Sequence, residues 1–241
     1  MLIKSPFLTT LYFEGQDEMF NTMYEQSKKR VHDSIERGDY GLAVALVEKP
    51  FRVEVLQELY NEGRIDKSNP DYWETVFNTY TGVEFTTSDS DVWLDLMDGA
   101  QAHKDKFMSE DELSVIQSLP DVVTVYRGAK EDTNEMGISF SLDYKKAEWF
   151  AQRFDSDSSP VVVEAKVKKE DILAYLENRG ESEIIFDNAK ALDWKVYNLD
   201  YESPSVEVDF LDKIKGSVNT VSDDKPKAKS AKKLTATKMA M

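Results

Sequence analysis

Apolar residues recur at helical spacing through the first half of the chain. Within 17–37, Phe20, Met23, Tyr24, Val31 and Ile35 fall near one face, and Gly38 supplies a C-terminal stop. Pro50 separates the apolar segment 42–47 from a second amphipathic stretch, 51–60, which Gly63 closes. Asn69-Pro70 opens a segment in which Tyr72, Trp73, Val76, Phe77 and Tyr80 form a broad apolar face, and 91–97 predicts a short helix. Ser109-Glu110-Asp111-Glu112 has the form of a capping box, and Pro120 ends the helix it opens. Stripes of this kind are read as core.

After Pro120 the period changes to two. The run 121–126 predicts a strand ending at Arg127-Gly128, and 137–141 predicts a second, with Ile138 and Phe140 on one face and Ser139 and Ser141 on the other. Asp143 can cap a helix lined by Ala147, Phe150, Ala151 and Phe154, and 155–160 reads as a loop. Val161, Val163, Ala165 and Val167 alternate along a third strand; 183–186 and 194–199 predict a fourth and a fifth. Helices first and strands after indicate an α+β fold, and no G-x-G-x-x-G follows a strand to suggest a Rossmann domain. The expected organisation is one domain over 1–213, helical to 120 and β-rich from 121, followed by a disordered lysine-rich tail over 214–241.

Composition narrows the chemistry. With 41% apolar and 32% charged residues in 241, the chain reads as a folded soluble protein. It has no cysteine, which excludes disulfides, thiolate metal sites and a cysteine nucleophile. Its two histidines, His32 and His103, sit in no nucleophile motif and make a poor basis for zinc, so no metal is expected. No apolar run is long enough to span a bilayer. The first fifteen residues have a short apolar stretch broken by Pro6 and no small-residue cleavage site, so the expected location is the cytoplasm. Six lysines against two aspartates over 221–241 give that end +4 and leave the remainder at −20 of the total −16. Such a body disfavours nucleic acid, except through the tail, and favours encounters with basic surfaces.

Three pieces carry candidate chemistry: Tyr126-Arg127-Gly128, Ser139-Phe140-Ser141 and Glu181-Ser182-Glu183. Each is weak alone. With 46 acidic residues among 241, an acidic pair at i and i+2 arises readily by chance. At the start of a strand, Glu181 and Glu183 would project from one side with Cα atoms about 6.6 Å apart. Carboxylates that close repel, and a fold tolerates them where an arginine or a cationic ligand compensates. Asn178-Arg179-Gly180 before them reads as an exposed turn. Arg127 offers a planar fork suited to phosphate or carboxylate.

This order, an arginine on a first strand, Ser-x-Ser on a second and Glu-x-Glu opening a later one, resembles the R-S-E class of mono-ADP-ribosyltransferases, in particular the small Alt and Mod type enzymes of tailed bacteriophages. The resemblance covers 122–186. It implies a mostly antiparallel split β-sandwich with a cleft for NAD as co-substrate. Arg127 would hold the NAD phosphates and support the nicotinamide-side ribose, with Gly128 and Ser141 beside the cofactor and Arg153 as a second phosphate contact. Ser139 would orient Glu183. Glu183 would bind a ribose hydroxyl and stabilise positive charge as nicotinamide leaves, while Glu181 would help deprotonate an arginine acceptor. Phe154 would lie near the nicotinamide or in the core. The implied partner is a target protein presenting an arginine, in phage relatives a host transcription or translation protein, which places the enzyme in the host cytoplasm. Glycoside hydrolysis also uses two carboxylates but seldom takes both from i and i+2. An NAD glycohydrolase, with water as acceptor, and a non-catalytic binding protein on the same scaffold are the remaining alternatives.

Overall fold

In the computed structural model, residues 1–83, 90–132, 135, 137–153, 158–177 and 179–199 are described, and they fall in one compact unit. Phe154, Asn178, the first half of the 155–160 loop and the lysine-rich tail lie outside the described residues.

The chain begins with a hairpin, β1 (Leu2–Ser5) and β2 (Leu8–Leu11), paired in antiparallel register from Leu2–Leu11 to Ser5–Leu8. Its turn holds Pro6 and is closed by the Ser5 hydroxyl, which donates to the Leu8 carbonyl at 2.9 Å. Helices follow in the expected order: α1 (Asp17–Glu36), α2 (Tyr40–Leu46), α3 (Arg52–Asn61), α4 (Tyr72–Gly82), α5 (Ser90–Met97) and α6 (Glu110–Ser118). The capping box on α6 is complete. Ser109 Oγ accepts from the Glu112 amide, and the Glu112 carboxylate accepts from the Ser109 amide. That carboxylate also accepts from the Glu177 amide at 2.9 Å, so the start of α6 anchors a loop 65 residues downstream.

The second half supplies β3 (Val122–Lys130), β4 (Ser139–Ser141), α7 (Tyr144–Gln152), β5 (Pro160–Lys168), β6 (Ile172–Leu176), β7 (Glu183–Phe186) and β8 (Asp193–Asn198). Among the described residues the fold is α+β, with seven α-helices and a six-stranded antiparallel sheet in the order β6-β7-β4-β3-β5-β8. β3 does not stop at Arg127-Gly128. It runs on to Lys130 because β5 pairs with it along its whole length, from Val122–Lys168 to Lys130–Pro160.

The centre of the sheet is its thinnest seam. β3 and β4 share a single register pair, Tyr126 opposite Ser141. Beyond it the Arg127 side chain substitutes for the ladder, Nη1 donating to the Ser139 carbonyl at 2.9 Å. The sheet therefore consists of two three-stranded leaves, β6-β7-β4 and β3-β5-β8. Helices α3 to α5 pack over the first with Ile138, Leu173, Ala174, Leu176 and Ile185, whereas α6 packs over the other face with Val125, Phe140, Val163 and Phe186. Helix α7 lies on β3 and β5 and buries Ala147 and Ala151. No described helix is long and apolar enough to cross a membrane.

Candidate functional site

Glu183 opens β7, between β6 and β4, opposite both Leu176 and Ser141. The residue is almost wholly buried at 2% exposure, an unusual place for a carboxylate without compensation. The compensation is specific. Oε1 accepts from Tyr80 Oη at 2.7 Å and from Ser139 Oγ at 2.5 Å, and Oε2 accepts from Arg179 Nη2 at 3.1 Å. Ser139 sits two residues along β4 from the partner of Glu183, so the diagonal across the ladder brings its hydroxyl to the carboxylate. Tyr80 comes from α4, 103 residues earlier, and its ring is held edge-on to Trp93 at 5.2 Å between centroids.

Strand alternation does not place Glu181. It precedes β7, and Ser182 between the two glutamates has φ of 46°, a left-handed conformation that breaks the extended chain. The segment is fixed instead by the end of β4. Ser141 Oγ donates to the Glu181 carbonyl at 2.7 Å, and the Leu142 amide donates to the Ser182 carbonyl at 3.0 Å. The loop turns at Gly180, whose φ of 62° favours glycine and whose amide donates to the Glu177 carbonyl. This path returns Arg179 onto the pair it precedes. Arg179 Nη2 lies 3.1 Å from Oε2 of Glu181 and 3.1 Å from Oε2 of Glu183. The carboxylates are thus bridged by one guanidinium from their own loop. Burial pushes the Glu181 carboxyl above its ordinary range; Glu183 adds to the rise, and Arg179, Lys146 and Arg153 oppose it.

Arg127 is half-buried and turned inward. Besides its bond to the Ser139 carbonyl, its guanidinium lies against Gly137, where an added Cβ would come within 2.5 Å of Cζ. Burial draws this guanidinium below its ordinary value, against the opposing pull of Tyr80, Glu183 and Glu135. Gly128 faces α7, whose backbone fills the space a side chain would take: a Cβ would stand 1.9 Å from the Ala147 carbonyl oxygen. Ser141 is also internal, bonding the Glu181 carbonyl and accepting from the Asp143 amide at 3.0 Å. Arg153 ends α7 exposed, with Cζ 5.3 Å from the Trp149 ring centroid.

Glu183, Glu181, Ser139 and Arg127 are therefore brought together, with Ser141 bracing them. Gly128 serves helix packing, and Arg153 reaches Glu181 only through its field. Two members lacked a legible signal. Tyr80 is indistinguishable in sequence from its core neighbours on α4, and Arg179 reads as a turn residue until the loop is seen to fold back. A cavity of about 320 Å³ lies elsewhere, between α2 and α4, lined by Asp39, Arg52, Asp71, Glu74 and Thr79; it does not reach Glu183. The histidines pack against rings, His103 on Trp73 and His32 near Phe7. Among the described residues no group of three or more His, Asp or Glu is placed to hold a metal.

Tyr80→Phe tests the contact missed by the sequence. It removes a charge-assisted hydrogen bond inside the core, and the expected loss is about 2 kcal/mol. For a chain of this size that is a fall in melting temperature of roughly 6 °C. An unchanged melting temperature would show that the hydroxyl does not hold Glu183.

Comparison with protein-family models, with curated proteins and with solved structures returned no match.

Proposed function

We propose that this protein is an NAD-dependent mono-ADP-ribosyltransferase that transfers ADP-ribose to arginine of a target protein and releases nicotinamide. One observation carries the reading. A buried carboxylate, Glu183, is oriented by two hydroxyls on one oxygen and shares a guanidinium with a second carboxylate, Glu181, on the other.

The donor set fits the co-substrate. Glu183 can accept a ribose hydroxyl and present fixed negative charge to the carbon losing nicotinamide, with Ser139 and Tyr80 keeping it from rotating. NAD supplies the activated glycosidic carbon and nicotinamide as the leaving group. Glu181 stands beside Glu183, partly exposed, and its raised proton affinity suits it to take a proton from an acceptor nitrogen. Arg127 ties the seam next to Ser139, which makes it a positioning residue for the Ser139–Glu183 contact as well as a cation near the site. The pair demonstrably accommodates a guanidinium, which favours arginine over other acceptors. A body carrying −20 favours a basic target surface, as on host transcription or translation proteins.

Labelled NAD incubated with the protein and a bacterial lysate is expected to give free nicotinamide and label on protein arginines. Neither product appearing in any lysate overturns the proposal. Glu181→Gln separates transfer from hydrolysis: label on arginine is lost while nicotinamide release to water survives. If the two activities fall together, Glu181 does not serve the acceptor.

The pH dependence follows from the same residue. Because the folded protein holds a proton on Glu181 more tightly than the unfolded chain, its contribution to stability is full below the ordinary glutamate value. That contribution is lost as pH rises through the elevated folded value. Glu181→Gln is therefore expected to gain stability relative to wild type as pH climbs through that window. The acid limb of arginine transfer by the wild type should lie above the ordinary glutamate range. A limb at the ordinary value, with no pH-dependent difference in unfolding, would exclude Glu181 as the titrating group.

A second reading, a binding protein without catalysis, is favoured by one feature: Arg179 already satisfies the carboxylates internally. Binding without nicotinamide release would select it.

A further inference from the structure

Arg179 makes the contact that an arginine acceptor needs. Its Nη2 is equidistant, at 3.1 Å, from the carboxylate assigned to the ribose and the carboxylate assigned to the acceptor. We propose that Arg179 is a resident pseudo-acceptor, an arginine of the chain that fills the acceptor position and must be displaced by an incoming guanidinium. The inference rests on the transferase reading given above.

Three observations distinguish a displaceable occupant from a fixed structural ion pair. The Arg179 side chain is 39% exposed, against 3% for Glu183 and 22% for Glu181, so it covers the pair from the solvent side. The backbone on either side is pinned: the Glu177 amide to Glu112, the Gly180 amide to the Glu177 carbonyl, the Glu181 carbonyl to Ser141 and the Ser182 carbonyl to Leu142. Opening therefore needs only side-chain rotation and no loop unfolding. Glu183 also keeps both hydroxyl partners when Arg179 leaves, so its geometry survives the exchange. Lys146 and Arg153 act on Glu181 through their fields without forming an ion pair within contact distance. They leave the guanidinium position itself to Arg179 and its competitor.

An occupant of this kind reduces acceptor affinity by the fraction of time the position stands open. The test uses agmatine, a small guanidine, as probe, with Arg179→Met and Arg179→Lys beside wild type. Arg179→Met removes both charge and fork. Arg179→Lys keeps a cation near the carboxylates and loses the planar fork, and so remains informative if the methionine variant folds poorly. Titration calorimetry without NAD is expected to give about tenfold tighter agmatine binding to Arg179→Met, as for an occupant closed about nine-tenths of the time, with Arg179→Lys between. With NAD, KM for agmatine should fall in the same proportion and kcat should change less.

Agmatine binding no tighter in either variant than in wild type overturns the pseudo-acceptor. If nicotinamide release persists at the same time, the transferase reading stands without it. Tighter agmatine binding by the variants, with no nicotinamide release by wild type, overturns the transferase reading and keeps Arg179 as a displaceable cover on the carboxylates.

Discussion

Glu183→Gln is expected to lower nicotinamide release from NAD about a thousandfold, the scale of losing a preorganised electrostatic group at a reacting centre. The substitution is close to isosteric. Glutamine can still accept from Tyr80 and Ser139 through its carbonyl oxygen, so both hydroxyls keep a partner. What is lost is the charge. Its NH₂ would also face Arg179 Nη2, two donors against each other, and Arg179 would fall back on Glu181 alone. The expected stability loss is about 2 kcal/mol, below the cost of stranding a buried ion, because Glu181 retains the guanidinium. Initial rates of nicotinamide release, taken beside a melting curve, separate the effects. A glutamine variant that folds and cleaves NAD within about tenfold of wild type would remove Glu183 from the catalytic role.

The largest effect on folding is expected from Gly128→Ala, a change of one methyl group. The added Cβ would meet the Ala147 carbonyl oxygen at 1.9 Å and the Ala151 amide nitrogen at 2.5 Å, and these are helix backbone atoms that no rotamer can clear. Either α7 lifts from β3 or β3 bends away from β5, with which it is paired at every residue. Overpacking of this severity costs about 3 kcal/mol, a fall of roughly 10 °C in melting temperature for a chain of this length. Thermal unfolding checks it directly. A variant melting within about a degree of wild type would mean that the helix does not press on the strand as described.

Gly128 also illustrates what a sequence leaves open. Its place after Arg127 invited a role beside a ligand, yet the requirement it meets is steric and comes from a helix about twenty residues downstream. The alternating strands β3 and β5 lie near their expected positions, and β7 falls at 183–186 as expected although every position in it is buried. β6 was missed because both its faces are covered. Ile-Leu-Ala-Tyr-Leu is buried at every position and offers no alternation to detect. The β1–β2 hairpin was missed because its strands are four residues each and only Leu8 is buried. In the site, the grouping of Ser139 with Glu183 was an expectation of the resemblance, and the register of β4 on β7 is what brings the two side chains together. Tyr80 and Arg179 were not. One reaches the carboxylate across 103 residues, and the other depends on left-handed turns at Gly180 and Ser182.

The seam between β3 and β4 has a mechanical consequence. With one register pair joining them, the two leaves are held less by ladder hydrogen bonds than by the core they share under α6 and by the chain itself, which passes from leaf to leaf at β3–β4, β4–β5, β5–β6 and β7–β8, like a lace through eyelets. Lacing limits how far two panels can part and leaves their angle adjustable. Arg127 belongs to one panel and the carboxylates to the other, so a small change in that angle alters their separation without breaking a ladder.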